Sequence, residues 1–282
     1  MDELELRAAL AGTRFGDVRV VAETGSTNAD VLALAAAGAP EGVVVVADHQ
    51  TAGRGRLDRR WEAPPGASLL LSVLTRPVTG PSHLPVEALH RVSTALGVAA
   101  AEAVEAVAGV AARLKWPNDL VVVTDAGDRD AGDRDAGATR KLSGILAETQ
   151  LEGSTVAALV VGIGLNVNWP DELPDDLADI ATALNLVARG PVDRAALLVA
   201  LLERFDHWYG RLGEATGPAE LLARYRELSA TLGRRVRVEL PGETVVGDAF
   251  DLTSDGHLLV VDECPDRPRE ITVGDVVHLR MT

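Results

Sequence analysis

Apolar and polar positions along the chain alternate between two textures. Val18 to Val21 is a short apolar run that predicts a first strand, and Asn28 to Ala37 is an alanine-rich stretch that predicts a helix, stopped by Gly38-Ala-Pro-Glu-Gly42. Val43 to Asp48 and Ser68 to Leu74 are continuous β-branched and leucine-rich runs, the pattern of strands buried on both faces. Leu89 to Ala108 has the apolar spacing of a long helix; Leu120 to Val123, Ser143 to Leu151 and Thr155 to Ile163 return to strand texture. Helices are expected again over Asp193 to Arg211 and Pro218 to Ser229. From Gly233 the pattern becomes short alternating segments, Val236 to Leu240, Val245 to Asp251, Leu258 to Val261 and Val276 to Leu279, broken by Pro241-Gly242 and Asp255-Gly256. Helices interspersed among strands predict an α+β protein with a mixed sheet, and the terminal segments predict a small β-barrel. The boundary falls between residues 1–228 and 229–282.

Between two expected strands, Asp125 to Gly137 reads Asp-Ala-Gly-Asp-Arg twice and then Asp-Ala-Gly. It has almost nothing apolar to bury, so a flexible loop is expected there.

Composition narrows the class. The 282 residues are 47% hydrophobic and 24% charged, as in a soluble globular protein with a substantial core. The acidic start, Met1-Asp-Glu-Leu-Glu-Leu-Arg7, lacks the basic and apolar regions of a secretory signal, and no apolar run approaches a membrane span. The only cysteine, Cys264, excludes an internal disulfide and a cysteine-built zinc site. A cytoplasmic protein without membrane partners is expected. A formal net charge of −15 disfavours DNA as a partner, which makes a local arginine cluster informative.

That cluster is Gly53-Arg54-Gly55-Arg56-Leu57-Asp58-Arg59-Arg60-Trp61, just after a predicted strand. Glycines allow close backbone approach, and guanidinium forks match phosphate or carboxylate oxygens. The spacing alone also suits a solvated basic loop, and it is neither a P-loop nor a dinucleotide fingerprint. Lys115-Trp116-Pro117-Asn118-Asp119 places an amide and a carboxylate before a strand, which equally describes a capped turn. In Lys141-Leu-Ser-Gly-Ile-Leu-Ala-Glu148, strand alternation puts Lys141 and Ser143 on one face. Gly162-Ile-Gly-Leu-Asn166-Val-Asn168 is small and polar enough to border a flat ligand, or to pack closely on a neighbouring strand. Gly25-Ser26-Thr27-Asn28 are ordinary helix-capping residues, with Asp30 suited to the helix dipole; with Gln50 they could also offer neutral donors and acceptors to a ligand.

Taken in order, these five motifs resemble the biotin–protein ligase family over roughly residues 20 to 280. The resemblance implies a catalytic domain like that of the class II aminoacyl-tRNA synthetases and an SH3-like C-terminal barrel. It implies ATP-dependent activation of biotin to biotinyl-5'-AMP, with Mg²⁺, followed by transfer to a lysine of the biotin carboxyl carrier domain of a carboxylase. On matching positions, Ser26, Thr27, Asn28 and Gln50 are expected at the biotin head group, and Arg54, Gly55 and Arg56 in a loop closing over biotin and its adenylate. Lys141 is expected at the biotin carboxyl and phosphate, and Lys141, Arg54 and Arg56 as the catalytic set. Arg59, Trp61, Asn118 and Asn166 are expected on the nucleotide side, and Asp119 is the carboxylate available to a metal or to orient a lysine. The repeat lengthens a turn that is normally short, and no helix-turn-helix stands before residue 20 to house a repressor function. Lipoate–protein ligase shares the catalytic architecture and is the alternative activity; a non-catalytic biotin-sensing regulator is the alternative class. Monomer and homodimer both remain open.

Overall fold

A computed structural model describes residues 1–80, 83–124, 138–170, 173–175, 177–262, 268–272 and 274–278. The repeat at 125–137, Cys264 and Leu279 lie outside the described residues.

The architecture is α+β. Seven strands form one mixed sheet in the order β1-β2-β3-β7-β6-β5-β4. These are β1 (Asp17–Thr24), β2 (Val43–Gln50), β3 (Ser68–Thr75), β4 (Ala112–Lys115), β5 (Asp119–Thr124), β6 (Ala138–Glu152) and β7 (Thr155–Asn166). Only β1 and β2 run parallel, and a parallel neighbour needs a crossover, which α2 (Thr27–Ala36) supplies. The alternation along β2 explains its unbroken apolar run. Val44 and Val46 enter the main core, while Val43 and Val45 meet Val31 and Ala35 of α2 on the other face. β3 is buried along its whole length for the same reason.

The main core lies between the sheet and α3 (His90–Ala108), α5 (Arg194–Arg211) and α6 (Gly217–Leu228). The small residues of α3 let it sit close. A methyl group at Gly97 would stand 3.2 Å from Leu114 and 3.4 Å from Ile145. Four short elements have no distinct pattern in the sequence: α1 (Glu3–Ala9), α4 (Leu184–Ala188), β4 and, near the C-terminus, β11 (Arg269–Ile271). With β4 present, Trp116-Pro117-Asn118 is a hairpin turn between two strands rather than a lead into one.

The C-terminal segment is a separate five-stranded antiparallel sheet in the order β11-β10-β9-β8-β12, from β8 (Arg234–Leu240), β9 (Glu243–Leu252), β10 (Leu258–Val261), β11 and β12 (Asp275–His278). It is bound to the first sheet through the Trp116 turn. The Trp116 amide donates to Thr231 Oγ1 at 3.0 Å, its indole donates to the Gly256 carbonyl at 3.0 Å, and Ala230 N donates to Leu114 O at 2.8 Å. Arg226 with Asp251 and Arg91 with Asp255 add ion pairs across the junction.

His278 sits in this junction, 3.3 Å from Thr231 Oγ1, with its Nδ1 buried and unpartnered. Burial first, then the positive charges of Lys115 and Arg234, push its pKa down to about 4. A neutral native histidine contributes stability above the unfolded value of about 6.5, and the contribution is lost as pH falls toward 4. Acidification from pH 7.5 to 5 should therefore cost about 2 kcal/mol through this residue alone. Chemical denaturation at both values should give a smaller acid-induced loss in His278→Gln than in the wild type; equal losses would place the pH sensitivity elsewhere.

Candidate functional site

A cleft of about 130 Å³ opens on the α2 side of the sheet, over β6 and β7. Its floor exists because side chains are missing. Gly144 and Gly164 are direct cross-strand partners, and Gly162 lies two residues along β7. A Cβ at Gly164 would stand 2.5 Å from the Trp61 indole, and one at Gly162 would stand 2.0 Å from Asn28 Oδ1. Neither position tolerates a side chain without displacing a lining residue.

One end of the cleft is neutral and polar. Gln50 Oε1 accepts from the Thr27 amide at 2.7 Å and lies 3.0 Å from its hydroxyl. Ser72 Oγ lies 2.7 Å from Thr27 Oγ1 and 2.5 Å from Asn28 Oδ1. Ser26 occupies the N-cap of α2, yet its side chain makes no capping bond; it lines the cleft with Thr27 and Asn28, and all three are buried. Asp30 accepts from Thr24 Oγ1 at 2.6 Å.

The arginine segment folds as a hairpin over this cleft. Gly55 N donates to Arg59 O at 2.7 Å and Trp61 N to Gly53 O at 3.0 Å, and the tip residues Leu57 and Asp58 both have φ of 56°. Paired positive φ is the geometry of a tight hairpin turn, and it is costly for a leucine. The Trp61 indole lies on the Gly144–Gly164 strip with Nε1 buried and unpartnered. The cleft adjoins a second cavity of about 350 Å³ that shares Arg56, Asn118, Ile145 and Leu146 with it, so together they reach the size of a small-molecule site.

The cations of the site are mostly paired. Lys141 Nζ lies 2.8 Å from Asp119 and over the Trp61 ring; Arg54 lies 2.8 Å from Glu148; Arg59 is paired with Asp275 of the C-terminal sheet. Arg56 instead donates to the neutral Asn118 Oδ1 at 2.9 Å, and the Asn118 amide donates to Ile145 O. Beside them Lys115 is largely buried, and desolvation lowers its pKa against the raising influence of Asp119.

Ser26, Thr27, Asn28, Gln50, Arg54, Gly55, Arg56, Arg59, Trp61, Asn118, Asp119 and Lys141 thus come together around one cleft. Asn166 does not line it. Its buried amide accepts from Ser68 Oγ and donates to the Thr182 carbonyl. The expected shared face of Lys141 and Ser143 is also corrected. A bulge opposite Leu120 and Val121 makes Leu142 the extra residue, so Lys141 lies against Gly144 on the cleft side, while the Ser143 hydroxyl is buried without a partner. Sequence reasoning missed Ser72, Glu148 and Asp275. Glu148 stood inside a recognised motif, Ser72 inside an apolar strand, and Asp275 had no marker.

Two family models match the chain: the biotin/lipoate A/B protein ligase family over residues 21–166, and the biotin protein ligase C terminal domain over residues 231–279. The biotin–[acetyl-CoA-carboxylase] ligase of Mycobacterium tuberculosis is 40% identical, over 99% of this chain and 96% of that protein. The bifunctional ligase/repressor BirA of Bacillus spizizenii is 31% identical, over 92% of this chain and 74% of that protein. Among solved structures, a biotin protein ligase from Aquifex aeolicus in complex with biotin and ATP superposes with a TM-score of 0.74 at 28% identity, covering 94% of this chain and 99% of that one.

If the glycine strip seats the indole, Gly164→Ala should push Trp61 out and open the hairpin. Hydrogen exchange at the Gly55 and Trp61 amides, which the hairpin bonds protect, should rise by about tenfold or more. Unchanged exchange in the variant would show that the strip does not hold the loop.

Proposed function

The chain belongs to the biotin/lipoate A/B protein ligase family, and from that premise we propose that it is a biotin–protein ligase. It joins biotin to ATP as biotinyl-5'-AMP with release of pyrophosphate, then transfers biotin to one lysine of a biotin carboxyl carrier domain. The observation that carries this reading is the closed neutral network Gln50–Thr27–Ser72–Asn28 at one end of a cleft whose other end holds paired cations. A ureido ring has two N–H donors and one carbonyl, which such a network can satisfy. Lipoate offers that end no partners, and each buried group left unpaired costs about 1–3 kcal/mol.

The reaction follows from the charge layout. The biotin carboxylate attacks the α-phosphorus, the bond to the bridging oxygen of pyrophosphate breaks, and both reactants are anionic. Lys141 and Arg56 flank the place where these anions meet, and Arg56 has no carboxylate to give up before it binds phosphate. Among the described residues no cluster of three potential metal ligands exists, and the cleft carboxylates Asp119 and Asp275 are already paired. Mg²⁺ would therefore be held mainly by the nucleotide's phosphates, with Asp119 the carboxylate available to it, and it would offset phosphate charge. In the second step a neutral carrier lysine attacks the acyl carbonyl and AMP leaves. Asp119, once released from Lys141, is the carboxylate we assign to take the proton. The hairpin keeps water from the mixed anhydride. No described helix is long and apolar enough to cross a membrane, and a need for ATP and a carboxylase carrier suits the cytoplasm.

Pyrophosphate release measured with biotin, lipoate and octanoate in parallel should occur with biotin alone; release with lipoate would overturn the assignment. Lys141→Ala should remove at least about 99% of biotin-dependent exchange while the melting temperature holds, and near-normal exchange would make Lys141 a bystander. Arg56→Gly should still form the adenylate but lose it about ten- to a hundredfold faster, since one charge-assisted hydrogen bond contributes about 1.5–3 kcal/mol. The escaping intermediate should biotinylate serum albumin in the same tube; persistent adenylation without extra albumin labelling would remove Arg56 from retention.

A further inference from the structure

Two hydrogen bonds, one from α2 and one from the arginine hairpin, meet on one carboxylate oxygen. Glu148 Oε2 accepts from Arg54 Nη2 at 2.8 Å and from Asn28 Nδ2 at 2.8 Å. The Glu148 side chain is only 23% exposed, so its charge is partly desolvated and depends on Arg54 for neutralisation.

The bond to Asn28 decides which way that amide points. The nitrogen of Asn28 also reaches Leu146 O at 3.3 Å, so both of its protons face acceptors. The oxygen is left toward Ser72 and against Gly162, where a Cβ would stand 2.0 Å away. One of its lone pairs takes the Ser72 hydroxyl; Asn28 and Gly162 both line the cleft, so the second is the acceptor left for a ligand. Asn28 therefore presents an acceptor to the ligand and selects an N–H group. Without an acceptor at position 148 the amide could rotate and give Ser72 a proton instead, and the cleft would then meet a donor. The bond to Arg54 acts on the hairpin. Arg54 pairs with Arg60 across the hairpin ladder, so holding its side chain holds the strand that carries Gly55 and Arg56.

We propose that Glu148 is a positioning residue that ties substrate recognition to loop closure: through one oxygen atom it sets Asn28 as the acceptor for a ureido N–H and anchors Arg54 so that the arginine hairpin covers that end of the cleft. This rests on the ligase reading above. A ligand that pulls Asn28 toward itself also loads the anchor of the lid, and a lid that opens loosens the amide that recognises the ligand.

The test uses the full chain and biotin as the probe, first without ATP. Glu148→Gln keeps a carbonyl acceptor for Asn28 but loses the ion pair; Glu148→Leu loses both. Calorimetric titration should give about tenfold or greater weakening of biotin binding in Glu148→Leu and a smaller loss in Glu148→Gln. Amide exchange at Gly55 and Trp61 should rise in both. In steady-state assays Glu148→Gln should raise KM for biotin while KM for ATP stays within about twofold, a split that a general loss of structure would not produce. Arg54→Gln should cost less in the Glu148→Gln background than in the wild type. A folded Glu148→Leu protein with wild-type biotin affinity, or hairpin exchange indifferent to position 148, overturns the proposal. If Glu148→Leu does not fold, the exchange and the Arg54 coupling of Glu148→Gln decide. A wild-type chain that binds no biotin overturns the ligase reading itself, a result distinct from either.

Discussion

Everything at the cleft depends on three missing side chains in the middle of a sheet. Gly144, Gly162 and Gly164 lie on adjacent strands in register, and together they remove a layer of Cβ atoms from one face. Glycine weakens a strand through entropy and lost packing. The cost is offset here because β7, which carries two of the glycines, is buried almost throughout and pairs along its length with β3, itself fully buried, which fixes the ladder. The space gained is filled at once: Asn28 from α2 packs onto Gly162, and Trp61 from the hairpin lies on Gly164 and Gly144. The floor therefore positions the neutral end and the lid together.

Electrostatics bind the lid to the rest of the molecule. Arg54, Arg56, Arg59 and Arg60 crowd one short hairpin, and alone they would repel one another. Arg54 and Arg59 find carboxylate partners in separate places, Glu148 on β6 and Asp275 on β12, while Asp119 on β5 holds Lys141 below. The C-terminal sheet thus contributes directly to closing a cleft built by the first sheet. A strongly acidic chain can keep such a basic hairpin ordered because it has carboxylates to spend on it.

Most of this was legible in the chain where the signal is local. Strands buried on both faces announce themselves as apolar runs, and β2 and β3 fell where Val43 to Asp48 and Ser68 to Leu74 placed them. The twelve cleft residues named above lie in motifs whose order in the chain carried the family resemblance. What was not legible depends on long-range register. A single bulged residue, Leu142, reverses the face of Lys141 relative to Ser143, and alternation cannot foresee a bulge. Ser72 reads as one polar position in a strand core until α2 packs beside it. Asp275 reaches Arg59 only because two sheets dock, and nothing near either residue encodes the other. Asn166 shows the converse: a polar residue in a motif whose amide is spent on its own surroundings.

The two ends of the cleft obey different rules, and the difference suits a two-step ligation. At the neutral end, hydrogen bonds among Gln50, Thr27, Ser72 and Asn28 fix the direction of each group, so a ligand lacking matching groups leaves whatever capacity those bonds do not use unpaired in a buried place; discrimination is strongest there. At the charged end, ion pairs are long-range and exchangeable. On the ligase reading, phosphate competes with Asp119 for Lys141, and a carboxylate so freed is a base available in the cleft when an amine must lose its proton. Lys141 has an internal anion to return to after transfer, which weakens its hold on a departing phosphate. Glu148 joins the neutral end to the hairpin, since one of its oxygens serves Asn28 and Arg54 alike. A site that recognises a neutral ring at one end and reacts a carboxylate at the other needs some such link, or binding at the first would not be felt at the second.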